Sequence, residues 1–107
     1  METMKLKNIV LKRLEKAQKL VEKGWIQRDF ESEGRYCIIG ALNASGKSFA
    51  SVETTIRFVL RRDRAVKKFG SLIYYNDCPS RNQKQVINLF KRTIGKVKNG
   101  HFDEILS

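Results

Sequence analysis

Arg35-Tyr36-Cys37-Ile38-Ile39-Gly40-Ala41-Leu42-Asn43-Ala44 is the stretch on which the fold class turns. It is apolar on nearly every side, and periodicity cannot separate a buried helix from a buried strand in so short a run. Ala41 and Leu42 favour the helix, and no second strong strand exists elsewhere to pair with it. The stretch is therefore read as a short buried helix, with Gly40 allowing another piece of backbone to come close.

Upstream, Leu6, Ile9, Val10, Leu14, Ala17, Leu20 and Val21 recur at spacings of three and four, the stripe of an amphipathic helix. Its expected span is 4–23, with Gly24 as the stop. An irregular connection then runs from Trp25 to Gly34. Downstream, Ser45-Gly46-Lys47-Ser48 reads as a turn, with Ser48 or Ser51 as N-cap of a third helix through Val52, Ile56, Val59 and Leu60. That helix continues or kinks towards Gly70. Ser71 caps a helical turn over 72–75, ended by Asn76-Asp77 and Pro79, with Asp77 and Arg81 as a structural clasp. Ser80 and Gln83 fit a capping box ahead of a last helix through Val86, Phe90, Ile94 and Val97. The expected fold class is all-α: a compact single-domain bundle of about four main helices with a short extra helical turn. Trp25, Ile38, Leu42, Ile56, Leu60, Tyr75, Phe90 and Ile94 form its expected core. One domain covers 1–107, with flexible ends expected at 1–4 and 100–107, although Phe102, Ile105 and Leu106 give the tail an apolar side for docking.

Charge is the loudest feature of the composition. The chain carries 22 Lys and Arg against 11 Asp and Glu, a net +11. Residues 1–34 hold 8 basic and 6 acidic side chains, so nearly the whole excess follows residue 34. Such a field favours polyanions: nucleic acid, a nucleoprotein, an anionic nucleotide or an acidic protein surface. No apolar stretch approaches the roughly 20 residues that span a bilayer, and the amino terminus lacks a signal-peptide pattern. A cytoplasmic protein with two reduced cysteines and no membrane partner is expected.

The excess is densest in the third helix. Arg57, Arg61, Arg64 and Lys68 are spaced by four, three and four, which places them on one face of a continuous helix. Arg62 and Lys67 bring the total to six cations in twelve positions. Guanidinium groups suit phosphate because their planar fork donates two hydrogen bonds at once. The plain alternative is a solvated face. Tyr74 and Tyr75, with Phe69, follow closely and suit either base stacking or core packing.

Other patterns carry less. Gly46-Lys47-Ser48 resembles the end of a phosphate loop, but Gly40 to Gly46 encloses one residue too many and no preceding strand is evident. That excludes an NTPase and leaves open a looser anion site near Lys47 and Ser48. Cys37, Asp77 and His101 could be assembled into a thiol triad only if Cys37 escaped burial, which raises a thiol pKa and quiets it. Two cysteines and one distant histidine make no zinc site. No catalytic residue, metal or cofactor is expected.

Trp25, then Tyr36-Cys37-x-x-Gly40-Ala41-Leu42, then Ile73-x-Tyr75-Asn76-Asp77-x-Pro79-x-Arg81, resemble a family of small proteins of unknown function from bacteria and their phages. The resemblance spans roughly residues 10–95. Tyr75 stands where the family often has Trp, and the acidic insertion common before Tyr36 is reduced to 27–34. It implies the fold and the cap roles but no reaction. It also implies a phage or mobile-element accessory protein, a setting in which small single domains commonly inhibit host machinery, including nucleic-acid-guided defence. The leading expectation is a non-enzymatic binder presenting Arg57, Arg61, Arg62, Arg64, Lys67 and Lys68 to nucleic acid or a nucleoprotein. The alternative is a pocket around Trp25, Tyr36 and Tyr75 that captures an anionic nucleotide or signalling ligand.

Overall fold

The computed structural model describes residues 5–107, so the expectation for 1–4 lies outside the described residues. The fold is mostly helical. Among those residues are seven helices, four of them seven residues or longer, and one two-stranded sheet. In chain order they are α1 (Leu6–Lys23), β1 (Glu31–Ser32), β2 (Arg35–Tyr36), α2 (Ile38–Ala44), α3 (Ala50–Arg61), α4 (Arg64–Lys67), α5 (Leu72–Asp77), α6 (Gln83–Lys98) and α7 (Asp103–Leu106).

The periodic stripe of α1 becomes its buried face: Val10, Leu14, Ala17 and Val21 are fully enclosed. α1 lies mainly against α6, whose Val86, Leu89, Phe90, Ile94 and Val97 close the other side, and against α2. Ile38, Leu42, Ile56, Leu60 and Tyr75 complete the core, and Trp25 packs against it half-buried. Phe102 and Leu106 are buried and seat the carboxyl-terminal turn, while Ile105 stays largely outside.

The deciding stretch divides. Ile38–Ala44 is the expected buried helix, but Arg35–Tyr36 is a strand paired antiparallel with Glu31–Ser32. The connection expected to be irregular thus contains a tight hairpin, turned by Glu33 and Gly34, both at positive φ (52° and 77°). Gly40 does permit a close approach. A Cβ there would sit 1.8 Å from the Phe30 carbonyl oxygen, and that carbonyl accepts the Cys37 N–H just before α2. Gly24 ends α1 in extended rather than left-handed conformation, its φ being −179°. It too is needed for closeness, since a Cβ would meet Arg35 at 2.7 Å.

Two N-caps and one helix end differ from expectation. The N-cap of α3 is Phe49, with no side-chain bond, because Ser48 is turned towards Arg13 and Glu53. The capping box of α6 is formed by Asn82 and Gln85, not Ser80 and Gln83. Ser71 does cap α5 through the Tyr74 N–H, but α5 continues through Asp77, so Asn76 lies inside the helix.

Candidate functional site

The site is organised around Asn76. Its side-chain oxygen accepts the Trp25 indole N–H at 2.8 Å and the Ile38 amide at 3.1 Å. Its side-chain nitrogen donates to the Ile26 carbonyl and to Asp77 Oδ1, so the buried amide is fully used. Asp77 Oδ1 also accepts the Arg28 amide at 2.9 Å, holding Arg28 at a positive φ of 63°. Gln27 donates to the carbonyls of Asn76 and Cys78. The chain after α1, the start of α2 and the end of α5 are thereby joined by side chains rather than by a continuous element.

A groove opens beside this junction. One cavity of about 420 Å³ is lined by Arg28, Asp29, Phe30, Cys37, Ile39, Leu72, Ile73, Asn76 and Asp77. A second, of about 320 Å³, is lined by Ile39, Leu72 and Ile73 again, together with Thr54, Arg57, Arg61 and Ser71. The three shared residues lie between the two cavities, which therefore adjoin, one reaching Asp77 and the other Arg57 and Arg61. Phe30 and Ile73, 56% and 47% exposed, are large apolar side chains left open to solvent there.

All six expected cations are exposed, but they do not form one face. α3 stops at Arg61, and Asp63 turns extended (ψ 135°) to cap α4 through the Ala65 N–H. The spacing of Arg64 and Lys68 therefore does not continue that of Arg57 and Arg61. Thr54, Arg57 and Arg61, at three and four, share the groove face of α3. The acids within this region are already engaged. Asp63 takes two bonds from Arg92. Burial works to raise its carboxyl, and Arg92 with the Ala65 amide more than reverses this, so it titrates below the ordinary carboxylate value. Glu53 receives both terminal nitrogens of Arg13, whose guanidinium, aided by Ser48, holds its carboxyl low. Among the described residues, none of the six cations has a salt-bridge partner.

Arg13 was not singled out by sequence. It is buried and spends its guanidinium on Ser45, Ser48, Glu53 and the Leu42 carbonyl, tying α1 to the α2–α3 turn. Of the loose anion site expected near Lys47 and Ser48, the Ser48 hydroxyl is spent on Arg13 and Glu53 instead.

The expected pocket around Trp25, Tyr36 and Tyr75 is also corrected. Tyr75 is fully buried, edge-on to Phe69 and covered by the Arg81 guanidinium 3.7 Å from its ring centroid. Trp25 and Tyr36 bridge to each other through their backbones, and none of the three lines either cavity. Arg81 donates to the Tyr75 carbonyl rather than clasping Asp77. Cys37 and Asp77 do share a cavity, but burial and the Asp77 charge push the Cys37 thiol up, and its sulfur accepts the Gly40 amide. His101 packs on Phe102 and lines neither cavity.

The family model of DUF6197, a family of unknown function, matches residues 8–96. The chain belongs to DUF6197. No curated protein and no solved structure matches it. The DUF6197 match takes in the Asn76 junction, the whole groove and every one of the six cations. It stops within α6, before the docked tail. No helix among the described residues is long and apolar enough to cross a membrane.

Proposed function

We propose that this DUF6197 chain is a non-enzymatic binding protein that presents its 57–68 cations to nucleic acid, free or in the groove of a nucleoprotein. One observation carries the reading. Six exposed cations lie within twelve residues, and the acids beside them, Glu53 and Asp63, are consumed by Arg13 and Arg92. The field of that surface is therefore not cancelled locally, which favours contacts to phosphate with little sequence selectivity. The buried, raised Cys37 thiol supports a binding role over a thiol reaction. The resemblance to bacterial and phage proteins supports a mobile-element accessory factor acting on host machinery.

A salt titration of binding to DNA and RNA tests this. Affinity should fall steeply with salt, and Arg61→Ala should weaken binding and lower the salt slope by about one. Absence of binding at low salt disproves direct nucleic-acid contact. The second reading, capture of an anionic nucleotide, is supported by the groove whose basic end is Arg57 and Arg61. Thermal stabilisation by a nucleotide would reveal it.

A further inference from the structure

The groove and the cations meet at Arg57 and Arg61, and that junction has a polarity. At one end two guanidinium groups stand beside Thr54 and Ser71. At the other, Asp77 lines the wall with one carboxylate oxygen bonded twice and Oδ2 receiving no hydrogen bond among the described residues. Between them lies the apolar floor of Ile39, Leu72 and Ile73, with the open Phe30 ring at its side. A phosphate suits the first end, where Arg57 and Arg61 are the only charged lining residues among those described, better than the second, where Asp29 and Asp77 stand with Arg28. A flat apolar ring bearing an amino group suits the floor and the free Asp77 oxygen, as carboxylates accept the amino group of cytosine.

Resting on the nucleic-acid reading above, we propose that the groove receives one unpaired base of a single strand while Arg57 and Arg61 hold an adjoining phosphate. Arg64, Lys67 and Lys68, on and beside the separate turn of α4, add to the positive field without continuing that face. A duplex keeps its base faces inside the stack, whereas a single strand exposes them to aromatic and apolar side chains. The chain therefore discriminates strand from duplex. Within strands it favours bases that carry an amino group over thymine or uracil.

Fluorescence anisotropy with short DNA and RNA single strands, the matching duplex, an abasic strand of equal charge and a free mononucleotide tests the assignment. The single strand should bind roughly tenfold or more tighter than the abasic strand. Phe30→Ala should remove most of that difference without changing the salt slope, because it takes away no charge. Ile73→Ala should act in the same direction, and both side chains are exposed enough for the variants to fold. Cytosine strands should bind tighter than thymine strands, and equal binding of the two overturns the role given to Asp77. If duplex and abasic strand bind as tightly as the single strand, the groove assignment fails while the cationic reading stands. A base-dependent preference that survives both variants likewise removes the groove. A mononucleotide that binds where strands do not makes the occupant a free nucleotide and overturns the strand. Absence of binding by every polyanion at low salt overturns both readings.

Discussion

The Trp25 indole nitrogen and the Asn76 side-chain oxygen meet at 2.8 Å across 51 residues of chain. The same oxygen takes the Ile38 amide, so two buried or half-buried donors depend on one acceptor. Removing it strands both, and each stranded buried donor costs about 1–3 kcal/mol. Asn76→Ala should therefore lower stability by about 2–4 kcal/mol in urea unfolding. Trp25 is the only tryptophan, so its emission should also shift in the folded variant. An unchanged midpoint would show that the bonds carry no net stability.

Gly40 and Gly95 offer opposite outcomes for the same substitution. A Cβ at Gly40 meets the Phe30 carbonyl at 1.8 Å, whereas one at Gly95 meets nothing within 4 Å. Gly40→Ala should destabilise by more than about 2 kcal/mol through forced backbone movement. Gly95→Ala, within α6, should stabilise by about 0.5–1 kcal/mol. Thermal melts of the two variants check the pair.

The two engaged acids set an acid limit. Asp63 and Glu53 both titrate below their ordinary values in the folded chain. Their stabilisation is present above the unfolded carboxylate pKa and is lost as pH falls through the depressed folded values. Urea midpoints should thus hold near neutrality and drop as pH falls below about 4. In Asp63→Asn, which keeps a capping side chain, the drop should shrink. An identical pH profile would dismiss the contribution of Asp63.

The cysteines should differ in reactivity. Cys37 is buried and raised, while Cys78 is only partly covered and lowered, chiefly by its contact with Ser80. Iodoacetamide near neutral pH should label Cys78 first and reach Cys37 only in denaturant, as followed by peptide mass spectrometry. Equal rates under native conditions would contradict the burial of Cys37.

The helices were legible because their apolar spacing is long and regular: of the α1 stripe, Val10, Leu14, Ala17 and Val21 are enclosed and Leu6, Ile9 and Leu20 partly covered. The hairpin was missed because its strands are two residues each and polar, leaving no alternation to read. Glu33-Gly34 was the available signal, since a residue followed by Gly between short runs suits a turn with two positive φ values. Asp63 was the corresponding signal for the break after α3, an acidic cap in the middle of a cationic helix. Asn76-Asp77 reads locally as a turn, and only the distant Trp25 and Ile38 donors make Asn76 a buried junction. The groove was illegible for the same reason. Its walls come from the segment 28–30 ahead of the hairpin, α2, α3 and α5, and no local pattern records that Phe30 and Arg61 flank the same apolar residues.

The seating of Phe30 on Gly40 bears on how fast anything could arrive. Phe30 belongs to a connection of the kind that usually swings, yet its backbone rests directly on α2. One wall of the groove is thus set before an occupant appears. Association should then follow a single exponential phase whose rate is governed by diffusion and long-range attraction, with no slower opening step behind it.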